Sequence, residues 1–115
     1  FVLTADAYPF FTQYWFPAQP WEDPEHYWDR SPLSLVGNVS TPTMLLTGES
    51  DFRTPISETE QYYQALKLRE VPTRMVRVPG SSHGIASRPS RLIAKVAEIV
   101  AWFEAHDPGR TPPDP

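Results

Sequence analysis

The chain has 115 residues, 40% hydrophobic and 21% charged, with a net charge of −4 and no cysteine. An acidic balance without clustered Lys and Arg excludes nucleic acid and an anionic membrane as expected partners. The missing cysteine excludes a disulfide framework and a thiolate metal site. It also fits a reducing compartment, so a cytoplasmic location is expected; no apolar run reaches the length of a membrane span and no secretory leader is visible. The first residue is Phe1 rather than Met, which leads us to expect a processed, proteolysed or truncated product. Fourteen prolines and 13% aromatics predict short elements and a surface or core rich in rings.

Phe1 to Pro20 is crowded with Phe1, Tyr8, Phe10, Phe11, Tyr14, Trp15 and Phe16, without a period of 2 or 3.6. Pro9, Pro17 and Pro20 forbid a long element there. A short helix or turn followed by loop is predicted, either packing onto a core outside this chain or forming the wall of a substrate site. Asp23-Pro24-Glu25 is a helix start, with an N-cap acid and proline at the first helical position. That helix runs to Arg30, and Ser31-Pro32 stops it. Thr43 to Gly48 is a compact apolar run that suits a strand buried on both faces.

Ser57 to Arg69 is predicted helical, with Ser57 as cap, Glu60 closing a capping box, and Ile56, Tyr62, Tyr63 and Leu66 in rough helical register. Val71-Pro72 ends it. Thr73 to Val78 alternates as a second strand, closed by Pro79-Gly80. From Pro89 to about His106 a final helix is expected, with Leu92, Ile93, Val96, Ile99, Val100 and Phe103 on one stripe and Ser87 or Ser90 as cap. Tyr62, Tyr63, Trp102 and Phe103 are most simply core. The chain thus divides into residues 1–106, with an aromatic region over 1–40 and a βαβα unit over 41–106, and a Pro- and Gly-rich tail over 107–115 that is expected to fray. Strand, helix, strand, helix implies an α/β fold with a parallel pair and a right-handed crossover. Two parallel strands leave faces and edges uncovered, so the chain reads as half a fold.

Functional groups of parallel α/β sheets gather in the loops after the strand C-termini. One such loop is Gly48-Glu49-Ser50-Asp51-Phe52-Arg53-Thr54-Pro55; the other is Pro79-Gly80-Ser81-Ser82-His83-Gly84. Asp51 and His83 therefore reach the same edge of neighbouring strands. An acid on imidazole Nδ1 fixes the tautomer and leaves Nε2 to take a proton from a nucleophile. Taken singly, Asp51 is better explained as a turn former and His83 as an exposed, inert loop residue; their joint placement after successive strands is what points to catalysis. Arg53 is a candidate for holding a substrate carboxylate or carbonyl, and equally for pairing with Glu49 or Asp51 to shape the loop. The second is favoured, and Glu49 is similarly ambiguous. Ser50, Ser81 and Ser82 sit in no strand-turn-helix elbow, so no nucleophile is expected within this chain. His26, His83 and His106 lack metal-ligand spacing; neither a metal nor a cofactor is expected.

The stretch from Tyr27 to Phe103 resembles the end of the catalytic domain of the prolyl oligopeptidase family of serine peptidases, nearest its acylaminoacyl-peptidase and dipeptidyl-peptidase-like branches. The matching residues are Tyr27-Trp28-Asp29-Arg30-Ser31-Pro32-Leu33, Thr41 through Pro55, Glu60 through Lys67, Val71-Pro72-Thr73, Val76 through Gly84, and Trp102-Phe103. They cover about two thirds of the chain. The resemblance implies the C-terminal portion of an α/β-hydrolase fold, with Asp51 as triad acid and His83 as general base, in the chain order serine, acid, histidine. Family members often carry His-Gly at Thr47-Gly48 and Gly-Glu at Ser81-Ser82, departures that leave acid and base untouched. The family's Gly-x-Ser-x-Gly elbow and its propeller are expected upstream of Phe1. On this view the partners are a peptide substrate and the missing N-terminal part of the same protein, or a second copy of it, and the 115 residues alone are expected to be inactive. Two alternatives stay open: a non-catalytic fragment or interaction module associating through its sheet edge, and an esterase of the same fold.

Overall fold

Proline sets the punctuation of this chain. In the computed structural model, which describes residues 1–109, proline stands in the first turn of the helices α1 (Tyr8–Phe10), α2 (Pro24–Asp29) and α4 (Pro89–Ala105), and of a 3₁₀ helix over Pro32–Asn38. Its fixed φ suits that position and its missing N–H costs nothing there. Pro42 and Pro72 each precede a strand, β1 (Thr43–Gly48) and β2 (Thr73–Val78). Most of the expected tail, residues 110–115, lies outside the described residues.

β1 and β2 pair in parallel, with Thr43 opposite Thr73 and Gly48 opposite Val78. The connection between them is α3 (Ile56–Leu68). Leu66 packs with no accessible surface, and the Thr47 and Thr59 hydroxyls meet at 2.6 Å to tie α3 to β1. This is the strand-helix-strand unit of an α/β fold, with a sheet of two strands among the described residues. Its β1 is not buried on both faces as expected: Thr43 to Leu46 are half-buried, and only Thr47 and Gly48 are buried. Two strands with one crossover helix cannot cover both faces.

The helix ends differ from expectation in detail. α3 begins at Ile56 with Pro55 as N-cap, and Ser57 makes no capping bond. Ser57 already lies inside the first turn, so its hydroxyl is past the cap position. Glu60, freed from a capping box, accepts from Arg77 Nη1 at 2.6 Å. α4 is capped by Arg88 without a side-chain bond, so neither Ser87 nor Ser90 serves. At α2 the expected cap is present: Asp23 Oδ1 accepts from the His26 N–H at 3.1 Å.

The apolar stripe of α4 is mostly open to solvent, with Ile99 half-buried. Leu92, Ile93, Val96, Val100 and Phe103 are all exposed, whereas Glu98 turns toward β2 and pairs with Arg74 at 2.9 Å. Phe103 is therefore not core; Trp102, Tyr62 and Tyr63 are half-buried. The radius of gyration, 16.9 Å, exceeds the roughly 13 Å of a compact domain this long.

The aromatic N-terminal region makes a small cluster of its own. α1 runs straight into a π-turn over Phe11–Trp15, closed by the Phe16 N–H on the Phe11 carbonyl at 3.2 Å. Val2, Ala5 and Phe11 are buried together, flanked by Ala7, Phe16 and Tyr27. The Phe16 and Tyr27 rings stack at 4.1 Å, and Tyr27 Oη donates to the Ala18 carbonyl at 2.8 Å. Tyr14, Trp15, Trp21 and Trp28 remain exposed. Among the described residues sixteen large hydrophobic side chains stand open to solvent, far more than single scattered exposures would explain.

Candidate active site

A glycine at the end of β1 allows the two loops to touch. A Cβ on Gly48 would stand 2.2 Å from the Ser81 carbonyl oxygen and 2.8 Å from that of Ser82, so only a hydrogen fits between β1 and the loop after β2. Through that contact the Ser50 N–H donates to the Ser81 carbonyl at 2.9 Å, and the Glu49 N–H to that of Val78 at 3.0 Å. The second loop turns at Gly80, whose φ of +59° falls in the left-handed region where glycine carries no Cβ penalty. Ser81, wholly buried, and Ile85, 5% exposed, anchor it on either side of His83. Ile85 itself takes φ +51°, an uncommon conformation for a β-branched residue.

Asp51 and His83 come together. Asp51 is 5% exposed and its two oxygens divide the work. Oδ1 accepts from the backbone N–H groups of Arg53 and Thr54, each at 2.9 Å. Oδ2 accepts from the Thr54 hydroxyl at 3.0 Å and faces His83 Nδ1 at 2.8 Å. Asp51 is thus a turn former through one oxygen and an imidazole partner through the other, so its two sequence readings are compatible.

Burial alone would push the Asp51 carboxyl up, but the Thr54 N–H, His83 and the Thr54 hydroxyl together hold it below its usual range. An ionised carboxylate can only accept, so His83 Nδ1 carries the proton that Asp51 binds. In the neutral imidazole Nε2 is then the nitrogen with the open lone pair, and among the described residues it makes no hydrogen bond. The His83 side chain is 59% exposed, open toward anything that sits over the strand ends.

The linkage sign follows from the depressed folded-state pKa. Stability from the ionised Asp51 is fully present above the ordinary carboxylate range and is lost as pH falls through the folded value. Thermal unfolding below about pH 4 is therefore expected to show a fall in stability that the Asp51→Asn variant lacks. Equal acid sensitivity in both proteins would show that Asp51 contributes nothing to it.

Arg53 does not pair with Glu49 or with the Asp51 carboxylate, as the sequence reading had it. Its guanidinium bonds Asp6 at 2.6 Å, alongside the Asp6 N–H on the Phe52 carbonyl at 2.7 Å. The pair fastens the aromatic N-terminal region to the acid loop. Glu49 instead pairs with Arg77 at 3.0 Å. No group of three or more potential metal ligands occurs among the described residues, and no described helix is long and apolar enough to cross a membrane.

Sequence reasoning passed over Thr54, Gly48 and Ile85. A threonine three residues after a loop aspartate is a local signal, since it can close an Asx-type turn with both its N–H and its hydroxyl. The need for glycine at 48 has none, because the residue it must clear is 33 positions away in sequence.

Known proteins share this site's sequence context. A family model described as the prolyl oligopeptidase family matches residues 1–107. The chain is 40% identical over 99 residues to the peptidase YuxL of Bacillus subtilis, covering 84% of this chain and 15% of that protein. It is 39% identical over 82 residues to the acylamino-acid-releasing enzyme of Rattus norvegicus, covering 71% and 11%. A probable dipeptidyl-peptidase 5 of Aspergillus flavus is 26% identical over 98 residues, 84% and 13%. The chain therefore spans about a tenth to a seventh of these relatives' length.

Proposed function

Because this chain belongs to the prolyl oligopeptidase family of serine peptidases, we propose that it supplies the acid and base of a Ser-Asp-His triad to a longer polypeptide that carries the serine. The observation that carries this reading is the 2.8 Å contact between His83 Nδ1 and Asp51 Oδ2 at the ends of paired parallel strands, with Nε2 free. In this mechanism the serine hydroxyl attacks a peptide or acyl carbonyl while Nε2 takes its proton. Asp51 stabilises the imidazolium, and Nε2 then returns the proton to the departing amine. Short peptides with a blocked or dipeptidyl N-terminus are the proposed substrates, on the names of the relatives above. The nucleophile elbow and the oxyanion donors lie in the preceding part of the protein. That part also gives the apolar stripe of α4 and the open sheet faces something to pack against. Arg53, committed to Asp6, serves to hold the acid loop rather than the substrate.

A fluorophosphonate probe tests this directly, since it reacts only with an activated serine. It is expected to label one serine in the longer polypeptide, to lose that labelling in its His83→Ala variant, and to leave the 115-residue chain unlabelled. Labelling of Ser50, Ser81 or Ser82 in the 115-residue chain would place the nucleophile here and overturn the division. No labelling of the longer polypeptide would favour the non-catalytic module.

A further inference from the structure

We infer that Thr54 is a positioning residue for the base: its hydroxyl fixes the plane of the Asp51 carboxylate so that Oδ2, and not Oδ1, meets His83. This rests on the triad reading above and adds a group to it. The backbone bonds from Arg53 and Thr54 converge on Oδ1 alone. They locate that oxygen but leave the carboxylate free to rock about the axis through it. Only two contacts reach Oδ2 among the described residues, His83 and the Thr54 hydroxyl.

The three polar atoms form a closed triangle. Thr54 Oγ1 lies 3.0 Å from Oδ2 and 3.3 Å from His83 Nδ1, which itself lies 2.8 Å from Oδ2. A hydroxyl has one proton to donate. With Oδ2 ionised and Nδ1 protonated, that proton goes to the carboxylate, and an oxygen lone pair is left toward the Nδ1–H. The hydroxyl therefore braces both partners of the pair in one protonation arrangement. Thr54 is itself held by its backbone N–H on Oδ1, so the brace is rigid. It is followed by Pro55, the N-cap of α3, which restrains the backbone behind it.

The test compares Thr54→Val, which keeps the shape and removes the hydroxyl, with Thr54→Ser, which keeps it. In the 115-residue chain the Nδ1–H proton of His83 is followed by NMR, because a braced hydrogen bond exchanges slowly with water. Valine is expected to broaden or abolish that resonance while the far-UV circular dichroism of the folded chain is kept, and serine to restore it. In the longer polypeptide, valine is expected to lower kcat roughly ten- to a hundredfold, the range for one lost hydrogen bond to a charged group, with KM unchanged. A valine variant that keeps both the Nδ1–H resonance and kcat overturns the inference. If the resonance responds as expected but the unmutated longer polypeptide hydrolyses no peptide, the positioning role stands and the peptidase reading fails.

Discussion

On the proposed triad, an Asp51→Asn variant of the longer polypeptide is expected to lose about four orders of magnitude in kcat while remaining folded. Asparagine can still present an oxygen to the Arg53 and Thr54 N–H groups that now meet Oδ1, so the turn survives. The change falls on the other side. Where Oδ2 accepts from His83 Nδ1 at 2.8 Å, an amide NH₂ would donate, and an N–H facing an N–H is repulsive. The imidazole answers by moving its proton to Nε2, which is then no base. Steady-state kinetics on an acylated peptide substrate check the loss, and the Nδ1 and Nε2 resonances of His83 check its cause. A loss below about tenfold would mean that another group holds the base, and the triad assignment of Asp51 would fall.

Gly48→Ala is expected to be the most damaging small substitution in the chain. The added methyl would meet Ser81 O at 2.2 Å, Ser81 C at 2.7 Å and Ser82 O at 2.8 Å, all of them backbone atoms. A flexible side chain can step aside, but these atoms are fixed by the Ser50 bond to Ser81 and by the pairing of β1 with β2. The strand end or the histidine loop must move instead. Overpacking of this kind costs about 1–3 kcal/mol, a drop of at least several degrees in melting temperature for a chain of this size. The effect on activity is larger, because a displacement of about 1 Å at a catalytic group costs on the order of a hundredfold. Gly37→Ala is the control: nothing lies within 4 Å of a Cβ there, and its melting temperature should match that of the unmutated chain. A Gly48→Ala protein as stable and active as the parent would show that the two loops do not approach as described.

Much of the fold was legible because its signals are local. Proline and glycine bound both strands, and the alternation from residue 43 implied the parallel pair that Thr43–Gly48 and Thr73–Val78 form. Asp23 was recognisable as a cap from its neighbours alone. The helix starts at Ile56 and Pro89 were less so, since the candidate serines lie within two residues of the true caps and only the backbone path selects among them. The α4 stripe was legible as a pattern but not as a direction. Periodicity says which residues share a face; it does not say whether this chain holds the surface that face would bury.

The site divides the same way. The identities of Asp51 and His83, and their arrival at one edge of the sheet, are properties of the sequence: loops after successive parallel strands must open on the same side. Family resemblance rested on the same contiguous residues. What only the tertiary structure decided is each contact across a long separation. It sets Oδ2 rather than Oδ1 against the imidazole, commits Arg53 to Asp6 instead of Glu49 or Asp51, and makes Gly48 indispensable through a carbonyl in the loop after the other strand. Hydrogen bonds select partners by angle and distance at the scale of tenths of an ångström, and no spacing of residues along a chain encodes that.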